Sequence, residues 1–254
     1  MAFRTGTNTW QRLPYWPSAC DGTCQPRATP LYLGAAGKVG FEPPAAGAAF
    51  DEYVSDPAKP VPFRTRPSQP VGYQPPLSWV RWLVDDQREF SGRTDVLTYS
   101  SAPLSAPLAI SGEPVANLVA ATTGTDVDWV VKLIDVYPDE VPGQRELGGY
   151  QLPVSMDILR GRYREDLAVA KPVKPNVPLT YRFALPTTNH VFLPGHRIMV
   201  QVQSAWFPLY DRNPQTFVPN IFFARPEDYQ KATERIYHAP GKASFIELPV
   251  VQAP

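Results

Sequence analysis

Proline decides what this chain can become. It occurs 31 times in 254 residues, ~12% against a usual ~5%, and it is scattered along the whole length. Each proline fixes φ and lacks an N–H, so it interrupts helices and is kept out of central strands. A chain punctuated in this way either stays disordered or builds many short elements with stiff connections. Its 43% hydrophobic and 12% aromatic residues exclude disorder. Short strands joined by rigid turns remain.

The length allows one large all-β domain or two small ones. Lys plus Arg is 24 and Asp plus Glu is 24. With no net field to hold a polyanion, nucleic acid and anionic membranes are not expected partners. No apolar run approaches the ~18 residues of a membrane span. The opening MAFRTGTNTW lacks the apolar stretch of a signal peptide. As given, the chain is expected in the cytoplasm; cut from a longer precursor, it would be periplasmic or secreted. The two cysteines, Cys20 and Cys24, sit in CDGTC. So short a loop can close as a disulfide in an oxidising compartment, or stay as two surface thiols. A metal site needs more ligands than this stretch offers.

Residues 1–76 read as an irregular segment with a first strand and a Pro-rich linker (DPAKPVPFRTRPSQP), packed on residues 77–254, the two making effectively one domain. Strand signals become clear after WVRWLVDDQREF. RTDVLTYSS, PLAISGEPVANLVAATT and DWVVKLIDVYPDE follow one another, the last stopped by Pro138-Asp139. In PLTYRFALP, Leu179, Tyr181, Phe183 and Leu185 share one face. In HRIMVQVQS, Ile198, Val200 and Val202 share one face, with Arg197, Met199, Gln201 and Gln203 opposite. This period of two predicts half-buried antiparallel strands. KASFIELPVV reads as the last strand. Helix signals are few: PEDYQKATERIYH, residues 226–238, with proline then two acids at its start, predicts two or three turns. The expected architecture is an all-β jelly-roll sandwich with one or two short helices and long irregular connections.

The usual catalytic patterns are missing. No two glycines lie four apart, so there is no G-x-S-x-G elbow. There is no H-E-x-x-H, P-loop or G-x-G-x-x-G. His190, His196 and His238 each read as structural or surface residues; they would bind metal together only if the fold converged them. Carboxylate pairs at Asp126/Asp128, Asp139/Glu140 and Glu165/Asp166 suit backbone caps or water, and calcium as a lesser alternative.

Several motifs now converge. RTDVL, then PLAISG, then DVDWVVKLIDVYPDE, together with GTNTWQRLPYWP and DPAKPVP, resemble the C-terminal domain of X-Pro dipeptidyl-peptidase-like serine hydrolases, the CocE/NonD group. PGHRIMVQVQSAWFPLYDRNPQTF is most similar to the α-amino acid ester hydrolases and the glutaryl-7-aminocephalosporanic acid acylases within it. The resemblance implies a galactose-binding-like jelly roll that follows an α/β-hydrolase domain bearing a Ser-His-Asp triad and a helical cap. It brings no catalytic residue and no cofactor to this chain. It implies that the stretch Trp206, Phe207, Tyr210, Asp211, Arg212 and Asn213 docks on, or lines the cleft of, that hydrolase domain, joined in cis or in trans. Aromatics and arginine suit such a role; equally, Trp206 and Phe207 could close the end of the domain's own core. A surface made to be covered also implies self-association of the isolated chain, as a homo-oligomer. Two other readings stand beside this one: a free carbohydrate- or ligand-binding module with Trp10, Trp16, Trp79 and Trp82 as platforms, and an enzyme with an unrecognised site.

Overall fold

The structure, a computed structural model, describes residues 1–13, 15–17, 26–45, 49–67 and 81–252. Cys20, Cys24 and Trp79, and with them the expected loop disulfide, lie outside the described residues. An N-terminal hairpin pairs β1 (Ala2–Arg4) with β2 (Thr9–Gln11). There follow β3 (Arg27–Gly34), β4 (Lys38–Gly40), β5 (Phe50–Ser55), β6 (Leu97–Ser100), β7 (Leu108–Gly112), β8 (Val115–Thr122), β9 (Asp128–Val136) and β10 (Gln151–Arg160). The chain closes with β11 (Leu179–Ala184), β12 (Thr188–Phe192), β13 (Arg197–Gln203), β14 (Ala232–Ala239), β15 (Lys242–Ala243) and β16 (Phe245–Val251). Among the described residues helix is confined to α1 (Arg88–Ser91) and to single 3-10 turns. Prolines thus separate many of these short strands, although Pro30, Pro153 and Pro249 stand within β3, β10 and β16.

Fourteen strands form one hydrogen-bonded sheet, whose main path runs β10-β9-β13-β6, then through β4 and β3 to β16, β8, β14 and β15, with β5, β7, β11 and β12 branching from it. The crossing from β6 to β4 rests on a single parallel pair, Lys38 with Ser100, and there the sheet folds over into a sandwich. Trp129, Val131 and Leu133 of β9 and Ile198, Val200 and Val202 of β13 fill its interior. They share one apolar cluster with Leu31, Leu33, Leu118, Ile236, Ile246 and Leu248. Burial of this size is the main stabilising term of the fold. Three strands of the large sheet, β3 to β5, come from the segment before residue 76 that the sequence shows as largely irregular; prolines within and between short strands had masked them.

Two expectations are corrected. The helix expected over residues 226–238 is not there. A 3-10 turn at Pro226–Asp228, where the Asp228 carboxylate accepts from the Arg225 N–H at 2.8 Å, gives way to β14. Ala232, Glu234, Ile236 and His238 of that strand point inward in strict alternation, and pairing on both sides with β5 and β8 outweighs helix propensity. Nor is β13 half-buried. Gln201 and Gln203 are as inaccessible as the valines between them, because residues 81–96 lie over this outer face of the sheet.

Candidate functional site

β9 carries a buried aspartate at each end, Asp128 and Asp135, ~23 Å apart at ~3.3 Å per strand residue. Each gathers a different set of partners.

At the Asp128 end the partners are arginines. Asp126, fully buried, takes Nε and Nη2 of Arg162 at 2.8 and 2.6 Å. Arg162 also donates to the Val218 carbonyl at 2.9 Å and lies over the Phe217 ring. Asp128 accepts from Asn213 Nδ2 at 2.8 Å and faces Arg160 Nε at 3.9 Å, its register partner on β10. Arg160 also pairs with Asp211. Burial pushes the Asp128 carboxyl up to about 7, against Arg160 and Asn213. The returning loop is pinned through its backbone as well. Gln215 sits at φ 63°, its carbonyl accepting from the N–H groups of Thr125 and Asp126. It approaches so closely that a Cβ on Gly124 would lie 2.4 Å from the Gln215 oxygen.

The six expected contact residues therefore divide. Trp206 is buried within its own domain, edge-on to Trp82 at 5.8 Å and stacked on Tyr210 at 6.1 Å. Asn213 is buried on Asp128. Phe207 is half-buried and bonded through its backbone to Val61 and Phe63. Tyr210, Asp211 and Arg212 are half-buried on the rim. Arg212 stacks between Phe207 and Tyr229 and donates to the Pro57 carbonyl at 3.0 Å, beside an open cleft of ≈ 800 Å³ that Tyr229, Lys231 and Asp56 also line. Closing the core and facing outward are thus both present, in different residues. The most exposed aromatics of this end escaped the sequence reading. Phe222 and Phe223 are each 81% exposed on the 3-10 turn Ile221–Phe223. Asn220 caps the turn by accepting from Phe222 N–H at 3.0 Å, and Ile221 anchors it inward. A cavity of ≈ 290 Å³ joins Phe222 to Arg160 and Asp211.

At the Asp135 end the partners are histidines. His196 Nδ1 lies 2.8 Å and His190 Nε2 3.2 Å from the carboxylate. A carboxylate only accepts, so both nitrogens carry hydrogen. Burial works to raise Asp135, but the two imidazoles together hold it below its usual value. His190 Nδ1 reaches the Thr5 hydroxyl at 2.8 Å. Hydroxyl, imidazole and carboxylate stand in the order of a nucleophile relay, yet His190 and Asp135 are 0% exposed, so the imidazole has no access to a substrate. Its visible effect is to hold the N-terminal hairpin. His238, the third histidine, is also buried and pairs elsewhere, with Asp51 at 3.3 Å.

Two further buried charges are invisible to pattern reading. Lys132 lies under the 81–96 segment, donating to Gln87 at 2.8 Å beside the faces of Phe90 and Trp206; burial, helped by Arg93, lowers it to about 7. Glu234 is pushed up to about 8 by burial, with one oxygen bonded to Thr122. The remaining carboxylate pairs serve surface loops: Glu165 meets Lys171 at 2.7 Å, and Asp166 accepts from Ala168 N–H. Among the described residues no group of three His, Cys, Asp or Glu side chains is placed to hold a metal ion.

Cocaine esterase of Rhodococcus sp. (strain MB1 Bresler) is 32% identical over 267 residues, covering 98% of this chain and 41% of that protein. A crystal structure of an aminopeptidase from the marine sediment archaeon Thaumarchaeota archaeon superposes with a TM-score of 0.92 at 57% identity. An α-amino acid ester hydrolase does so at 0.92 and 58%. The chain covers 40% of each of these two, so it spans well under half the length of the relatives it matches. Residues 1–247 match the model of the X-Pro dipeptidyl-peptidase C-terminal non-catalytic domain, and the chain belongs to that family.

Proposed function

We propose that this domain is the non-catalytic partner of an α/β-hydrolase domain in an ester or amide hydrolase, and that its Asp128 end helps shape the hydrolase cleft. The observation that carries the reading is the braced turn at Phe222–Phe223. Two large rings stand in water on a hydrogen-bonded support, beside a rim of Tyr210, Asp211 and Arg212. Rigid aromatics next to a positioned guanidinium are what interface anchors consist of. The buried arginine pairs beneath hold the rim at fixed height. Substrates would be esters or amides of small acyl groups, α-amino acids among them, by analogy with the α-amino acid ester hydrolase and cocaine esterase it resembles. An unpartnered rim also favours self-association of the chain by itself.

The test is turnover of p-nitrophenyl acetate and an amino-acid ester by this chain alone, by a cognate hydrolase domain alone, and by the two together. No turnover by the chain and a raised rate on mixing are expected. Tyr210→Ala with Arg212→Ala, or Phe222→Ser with Phe223→Ser, should remove the gain. A gain that survives both pairs excludes this end of the domain as the contact.

A further inference from the structure

A second surface lies at the other end of β9. The N-terminal hairpin has two unlike faces. Its inner face is tied to β12 by polar contacts: Arg4 Nε donates to Asn189 Oδ1 at 3.3 Å, and Asn189 Nδ2 donates to the Phe3 carbonyl at 3.2 Å and to Gln11 Oε1 at 3.0 Å. The backbones of Thr5, Asn189 and Val191 exchange bonds of 3.0 Å. Gly6, at φ +85°, lies so close that a Cβ there would meet the Val191 oxygen at 2.0 Å. The outer face is apolar and open. Met1 is 75%, Phe3 41% and Trp10 66% exposed. Phe3 and Trp10 are cross-strand partners with rings edge-on at 5.2 Å.

A two-stranded hairpin is marginal by itself, and this one is fixed so that its largest rings point away from the domain it is fixed to. We propose that this aromatic face is the seat of the hydrolase domain that precedes the family's C-terminal domain, an inference that rests on the accessory-domain reading above. The occupant follows from connectivity. The matched region is C-terminal in the family and covers 40% of the length of the solved relatives, so in them the preceding domain enters at β1. A domain tethered within a few residues of a patch faces it at an effective concentration in the millimolar range, enough for a modest aromatic contact to stay closed. The hairpin is then a hinge plate, with its polar side bonded to the sandwich and its apolar side to the hydrolase domain.

Hydroxyl-radical footprinting tests this on the chain alone and on the chain joined behind the preceding part of the α-amino acid ester hydrolase. Phe3 and Trp10 should be oxidised at least ~5-fold more slowly in the joined protein, with Leu167, 83% exposed on a distant loop, unchanged. Equal oxidation of Phe3 and Trp10 in both overturns the inference. In that case protection of Phe222 and Tyr210 keeps the accessory reading, and protection nowhere removes both. Protection already present in the chain alone, with a dimer by light scattering, assigns the face to a second copy and also overturns the proposal. As an independent reading, Trp10→Ser should leave the melting temperature of the chain alone nearly unchanged and lower that of the joined protein by several degrees.

Discussion

The two ends of β9 solve the same problem with different chemistry. At one, Asp126 and Asp128 meet Arg162 and Arg160; at the other, Asp135 meets His190 and His196. Arginine stays charged at any pH a protein survives, so the cations of the first end are permanent, and Arg162 fastens the long return between β13 and β14. Histidine can be neutral or charged, and the hairpin contact tolerates either form. With neutral His190, the Thr5 hydroxyl donates to Nδ1. With charged His190, Nδ1–H donates to Thr5, whose own hydrogen turns to the Asn189 carbonyl at 3.2 Å. The arginine end carries the rim proposed to touch a cleft; the histidine end carries the hairpin proposed to touch the body of the same partner.

If the arginine end is a clamp of permanent charge, breaking it should cost most. Arg162→Leu strands a carboxylate that is 0% exposed and should lower unfolding free energy by about 3–5 kcal/mol, read by urea titration with an unchanged m-value. Asp126→Asn added to it should recover much of that loss. A cost near that of a surface ion pair would remove the distinction between the ends.

The ends should also respond oppositely to pH. Asp128 has its folded pKa raised, to about 7, so the folded state holds a proton the unfolded state gives up. Its contribution is most favourable below pH ~4 and is lost as pH climbs towards 7. Asp135 has its folded pKa depressed, so its contribution is present above ~4 and is lost as pH falls further. Asp128→Asn should flatten the stability profile between pH 4 and 7 by a few kcal/mol, and Asp135→Asn should flatten only the acid limb. Glu234, outside both clusters and raised to about 8, sharpens the test. Glu234→Gln should stabilise the domain on the order of 2–3 kcal/mol near pH 7 and hardly at all near pH 4.

Much of the sandwich was legible because alternation is a local signal. Leu179, Tyr181 and Leu185 face inward as their spacing requires, and β7, β8, β9 and β16 lie where turn residues and β-branched runs put them. What failed was everything that depends on a second layer. Gln201 and Gln203 are polar positions of an alternating strand and read as the open face; they are buried beside Lys132, which the distant 81–96 segment covers through Gln87 and Phe90. Glu234 and His238 gave PEDYQKATERIYH a helical look for the same reason, since polar residues at core positions hide a strand's period. Of the candidate contact residues, Trp206 stood open between a contact and the domain's own core, and its packing on Trp82 and Tyr210 takes the core side. Phe222 and Phe223 went unnoticed because nothing local distinguishes two exposed phenylalanines from two buried ones.

The smallest expected effect bears on the histidine end alone. Thr5→Val keeps the shape of the side chain and removes its hydroxyl. Neutral His190 then has a buried Nδ1 without a donor, at a cost of about 1–2 kcal/mol. An isopropyl group offers nothing in its place, while the backbone bonds of residue 5 to Asn189 and Val191 keep the hairpin seated. Asp135 still holds the ring through Nε2, so the loss stays confined to the hairpin contact. Hydrogen exchange at β1 and β2 should read this directly: faster than in the parent, with exchange in the Asp128-end loop the same as in the parent. Exchange at the parent's rate would mean that the hairpin rests on its backbone bonds to Asn189 and Val191 alone, and that His190 does not help to seat it.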